Sequence, residues 1–121
     1  MAEVYETAKK YSIPVHLDGA RLFNAALALK VDAREITKYT DSVMFCLSKG
    51  LCAPIGSIIA DPKEFIHNAL KSRKLMGGGM HQSGILAAAG ILALTEMRDG
   101  LSQIPGVNVD KKKSPDKYGV L

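Results

Sequence analysis

The chain has 121 residues, with 16 Lys and Arg against 12 Asp and Glu, a formal charge of +4. That length fits one domain and argues against two, and 47% hydrophobic with 23% charged residues excludes disorder throughout. Lys111, Lys112, Lys113 and Lys117 cluster at the carboxyl end. The basic excess therefore describes a tail and not a nucleic-acid-binding face.

Residues 2–11 read as an amphipathic helix, with Val4, Ala8 and Tyr11 on one face, and Ser12 and Pro14 end it. Residues 14–18 read as a short strand closed by Gly19, and strand alternation puts His16 and Asp18 on one side. Residues 20–30, rich in Ala and Leu, read as a helix. Asp32 and Glu35 match a capping box that opens a short helix through Lys38. Residues 42–48 form a near-continuous apolar run, expected to be a strand buried on both faces. A loop with Pro54 leads to a further strand at residues 56–60. Asp61 and Pro62 read as an N-cap and a first-turn proline. The helix they open carries Phe65, Ile66, Ala69 and Leu70 on its apolar face.

Gly77, Gly78 and Gly79 break that helix. Residues 83–97 are apolar nearly all round, so a helix there is expected to be buried or to lie in an interface. A turn at residues 104–106, a strand stub at 107–109 and a disordered end from 111 to 121 complete the reading. The order of helices and strands predicts an α/β fold with a sheet covered on both faces.

Cys46 and Cys52 lie in segments that read as core, so buried free thiols are expected in place of a disulfide. The start, Met1 to Val4, carries acid and no apolar run, which does not match a signal peptide. The longest apolar stretch, residues 84–94, is far short of the ~20 residues a membrane span needs. A soluble, cytoplasmic protein without nucleic-acid or membrane partners is expected. His16, His67 and His81 show no zinc spacing with the cysteines, and no metal site is expected.

Three positions carry chemistry. Asp18 and Lys49 each end a predicted strand and are followed by glycine, and open α/β sheets bind ligands at those ends. Arg21 follows Asp18 by three at the start of a helix. A lysine after a buried strand is expected to be partly desolvated, which favours the neutral amine and suits a Schiff base with an aldehyde. A strand-end lysine pointing to water is the competing reading.

The stretch from His16 through Asp18-Gly19-Ala20-Arg21 to Ala25 closely resembles the strand-and-turn motif of the threonine aldolases. Ser48-Lys49-Gly50-Leu51-Cys52-Ala53-Pro54 resembles the lysine segment of that family, and Arg73 to Gln82 its triple-glycine segment. The resemblance covers about residues 3–99. It implies a pyridoxal 5'-phosphate enzyme of the aspartate aminotransferase-like fold (fold type I), and a lyase that cleaves L-threonine or L-allo-threonine to glycine and acetaldehyde. Glycine biosynthesis and threonine catabolism are the implied settings.

By position, the resemblance implies that Lys49 is the catalytic, cofactor-holding lysine. It implies that Asp18 bonds the pyridine nitrogen, and that Arg21 meets the substrate carboxylate and cofactor edge. A carboxylate there keeps the nitrogen protonated and the ring a stronger electron sink. A planar guanidinium fork suits a carboxylate.

The implied partners are a small β-hydroxy amino acid and, in full-length relatives, further copies in a homo-oligomer. Residues 1–99 would be part of the large cofactor domain, and 100–121 a divergent tail, a remnant of the start of the small domain. Two departures stand out. His81 replaces an expected arginine, and Cys52 an expected glycine, where a positive φ would crowd the loop. Alternatives are a truncated, non-catalytic piece of such an enzyme, expected to bind the cofactor weakly, and a related β-eliminating lyase.

Overall fold

A computed structural model describes residues 1–101. The turn, strand stub and lysine tail expected beyond residue 103 lie outside the described residues.

Helix α1, Ala2–Lys10, is followed by strand β1, His16–Asp18, helix α2, Leu22–Leu29, and the short helix α3, Ala33–Thr37. Strands β2, Ser42–Cys46, and β3, Ser57–Ala60, come next, then helices α4, Lys63–Leu75, and α5, Gly84–Leu92. A π-helical turn, Ala93–Met97, continues α5 into α6, Arg98–Gly100. The expected element order is the observed one. Asp32 caps α3 as expected: its Oδ1 accepts from Arg34 N at 2.8 Å, satisfying an orphan amide of the first turn. At α4 the boundary differs by one residue. Pro62 is the N-cap, and no side chain, Asp61 included, bonds the first turn.

The sheet runs β1-β2-β3. β1 pairs parallel with β2, placing Asp18 opposite Met44, and β2 pairs antiparallel with β3, placing Phe45 opposite Ile58. Alternation sends neighbouring side chains to opposite faces. On one face Phe45 and Ile58 pack against the core of Leu47, Leu51, Ala53, Ala93 and Leu101, joined by Phe23 and Leu27 of α2. Phe23 meets Phe45 edge to face, with ring centroids 5.3 Å apart, a favoured aromatic geometry. On the other face Met44 and Ile59 meet Ile66, Ala69 and Leu70 of α4 across a groove of about 390 Å³. Helices therefore flank both faces.

Burial falls short of the apolar pattern in four places. β2 is not buried on both faces: only Ser42 is buried, and Val43 to Cys46 are half-buried. Among the described residues, one thin helical layer on each side leaves the strand partly open. Cys46 is half-buried and Cys52 exposed, both as free thiols. Among the described residues α5 is not enclosed, since Ile85 is 83% exposed and Ile91 and Leu92 are exposed too, so of the two expected settings burial within the chain is not the one found. On the apolar face of α4, Phe65 and Leu70 remain exposed. Among the described residues no helix is long and apolar enough to cross a membrane.

Candidate active site

The carboxyl ends of β1 and β2 lie side by side because the two strands are parallel and in register. β1 ends on Asp18, and the chain turns at Gly19, which is buried under β2. Gly19 N donates to Met44 O at 2.9 Å. A Cβ at Gly19 would fall 2.9 Å from that same oxygen, so only glycine lets the turn lie this close. Asp18 Oδ1 accepts from Ala20 N at 3.1 Å, which fixes the carboxylate at the turn. Its Oδ2 has no protein partner among the described residues. Arg21 follows as the N-cap of α2, with an exposed side chain.

The second strand runs on through Leu47 into a turn held at both ends. Leu47 N donates to Gly56 O at 2.8 Å, Ala53 N to Leu47 O at 3.0 Å, and Cys52 N to Lys49 O at 3.1 Å. Leu51, only 1% exposed, anchors the turn in the core and leaves Ser48 and Lys49 outside. The expected desolvation of Lys49 is therefore not found. The lysine lies beyond the last residue of β2, and its side chain is exposed.

Asp18, Arg21 and Lys49 line one open cleft of about 480 Å³, walled by Leu17, Leu22, Ala25 and Ile36. The three residues singled out in the sequence thus converge, although 31 positions separate Asp18 from Lys49. An acceptor, a planar cationic fork and a primary amine around an apolar-walled cleft suit a small anionic ligand carrying a carbonyl group and a basic ring nitrogen.

Other residues of interest lie elsewhere. His16 Nδ1 is 2.8 Å from Ser42 Oγ, a cross-strand pair in register, and His16 does not line the cleft. His81 is exposed after the triple glycine. That segment closes α4: Gly78 N donates to Arg73 O at 2.8 Å, and Gly77 takes φ +81°. A Cβ at Gly78 would fall 2.7 Å from Arg73 Cγ and 3.1 Å from Arg73 O, so glycine at that position lets the turn fold back on the end of α4. Cys52 adopts φ +59°, the left-handed region anticipated for a glycine position.

Sequence reasoning passed over Asn24. Its amide presses on the turn: a Cβ at Gly50 would fall 1.9 Å from Asn24 Oδ1. The available signal was a lone amide in the otherwise apolar α2.

The family model for beta-eliminating lyases matches residues 1–113. Low-specificity L-threonine aldolase 1 of Arabidopsis thaliana is 43% identical over 122 residues, covering 89% of this chain and 34% of that protein. Low specificity L-threonine aldolase of Escherichia coli K12 is 49% identical over 94 residues, covering 78% of this chain and 28% of that protein. The crystal structure of a putative L-allo-threonine aldolase from Listeria monocytogenes superposes with a TM-score of 0.79. At 24% identity, covering 84% of this chain and 28% of that one, it shows the shared fold. The chain spans about a third of the length of the curated relatives it matches.

Proposed function

Because this chain belongs to the beta-eliminating lyase family, we propose that it is the part of a pyridoxal 5'-phosphate-dependent threonine aldolase that supplies the cofactor lysine. The observation that carries the reading is the convergence of Asp18, Arg21 and Lys49 on one cleft. Relatives named L-threonine aldolase support the substrate class, a β-hydroxy amino acid.

The donor set suits the cofactor. When bound, pyridoxal 5'-phosphate supplies an electron sink that stabilises the carbanion left as the Cα–Cβ bond breaks. Lys49 provides the primary amine that tethers the cofactor. Its exposure on a turn anchored by Leu51 lets the amine reach the cleft while the backbone stays fixed. Asp18, held through Oδ1 by the Ala20 amide, offers Oδ2 to hold a proton at the ring nitrogen. Arg21 receives the substrate carboxylate in its fork and so orients Cα. The apolar walls, Leu17, Leu22, Ala25 and Ile36, exclude water from one side. In the net reaction the β-hydroxyl loses a proton and Cα gains one. L-allo-threonine then yields glycine and acetaldehyde with no change in oxidation state.

The test is acetaldehyde release from L-allo-threonine and L-threonine by the protein supplied with pyridoxal phosphate. The reading predicts release that is lost in Lys49→Ala. Release that persists in Lys49→Ala, or elimination products from other amino acids without acetaldehyde, would overturn it.

A further inference from the structure

We propose that Asn24 is a positioning residue that sets how the Lys49 turn presents its amine to the cleft. The proposal rests on the reading of Lys49 as the cofactor amine. Helix α2 touches the turn through Asn24.

The turn is bonded at its two ends, through Leu47, Ala53 and Cys52, but its tip at Gly50 is braced by a side chain. The Asn24 amide occupies the place of a Cβ there. An ideal Cβ on Gly50 would fall 1.9 Å from Oδ1, 2.8 Å from Cγ and 3.0 Å from Nδ2. The positive-φ residues, glycine or otherwise, do not include Gly50. Its backbone would therefore accept alanine, and the three nearest atoms that a methyl group would meet all belong to the Asn24 amide. Among the described residues the Asn24 side chain makes no hydrogen bond, so the contact is one of packing and shape. Asn24 also stands one helical turn beyond Arg21 on α2. One helix thus carries the guanidinium and the brace of the lysine turn. Moving the amide moves Lys49 relative to Arg21, and small displacements of reacting groups are costly.

Two readouts on the purified protein test this. One is the share of Lys49 among all lysines labelled by pyridoxal phosphate and borohydride. The other is the reactivity of Lys49 toward trace acetic anhydride across pH, without cofactor. Asn24→Ala and Gly50→Ala are each expected to lower the Lys49 share roughly tenfold, leaving surface lysines unchanged. The double variant is expected to label better than the product of the two single effects, because removing the amide makes room for the methyl. Asn24→Asp keeps the shape. Its carboxylate is expected to shift the Lys49 pH profile upward, and the labelling share is retained once the pH lies above that shifted profile. The variant also serves if Asn24→Ala does not fold, which circular dichroism reports. Unchanged Lys49 labelling and anhydride reactivity in both single variants, or strictly multiplicative effects, would overturn the proposal. Unselective pyridoxal phosphate labelling of the unaltered protein would instead overturn the cofactor reading. The anhydride profile would still decide the role of Asn24.

Discussion

Lys9 Nζ lies 2.7 Å from Asp41 Oδ1, a pair that ties α1 to the residue just before β2. The other oxygen, Oδ2, accepts from Val15 N at 2.8 Å, so one carboxylate joins the helix to the lead-ins of two strands. The Lys9 ammonium, and then the Val15 amide, hold the Asp41 carboxyl below the ordinary carboxylate range. A depressed folded-state value means that this stabilisation is present above the unfolded value, about 3.9. It is lost as pH falls through the folded value. The melting temperature is therefore expected to drop below about pH 4, and Asp41→Asn to flatten that part of the profile. Thermal melts from pH 2 to 7 check this. An identical acid limb in Asp41→Asn would contradict it.

Gly19→Ala is expected to destabilise the chain by about 1–3 kcal/mol, because the new methyl meets the Met44 carbonyl oxygen at 2.9 Å and Leu22 Cβ at 3.3 Å. Both neighbours belong to ordered elements that cannot give way cheaply. Urea denaturation measures the loss, and a neutral substitution would show that the β1 turn has more room than its geometry allows.

Cys52→Gly is expected to stabilise by about 1 kcal/mol, since a non-glycine residue at φ +59° carries left-handed strain. The thiol is exposed, so little packing is lost with it. Denaturant midpoints of the two proteins compare them directly.

Phe45→Ala removes one ring of the edge-to-face pair with Phe23 and is expected to cost about 3 kcal/mol, at the lower end of core values because the ring is half-buried. The same urea series measures it, and a cost below that of an ordinary surface substitution would contradict the packing described.

The order of elements and the candidate residues that line the cleft are readable from local signals. Asp32 and Arg34 behave as cap and capped amide because that chemistry is contained within three residues. Asp18 and Lys49 stand out because a charge followed by glycine interrupts a strand pattern. The left-handed backbone at Cys52 follows from the glycine expected there. Burial was not legible in the same way. The apolar run of β2 and the all-apolar α5 record what those residues prefer to contact, not how much neighbouring surface the described residues provide. Periodicity does not mark where pairing stops and a turn begins, so the sequence alone reads Lys49 as a desolvated strand end. The Asn24–Gly50 contact joins elements 26 positions apart, and no local pattern signals such a pair.

The residue to which pyridoxal phosphate attaches decides whether Lys49 is the cofactor lysine. Incubation with excess cofactor, borohydride reduction and peptide mapping should place the label on Lys49. Asp18→Ala should weaken cofactor binding while leaving Lys49 as the labelled residue. Label scattered over surface lysines such as Lys63, Lys71 and Lys74, with no preference for Lys49, would contradict its role as the cofactor lysine.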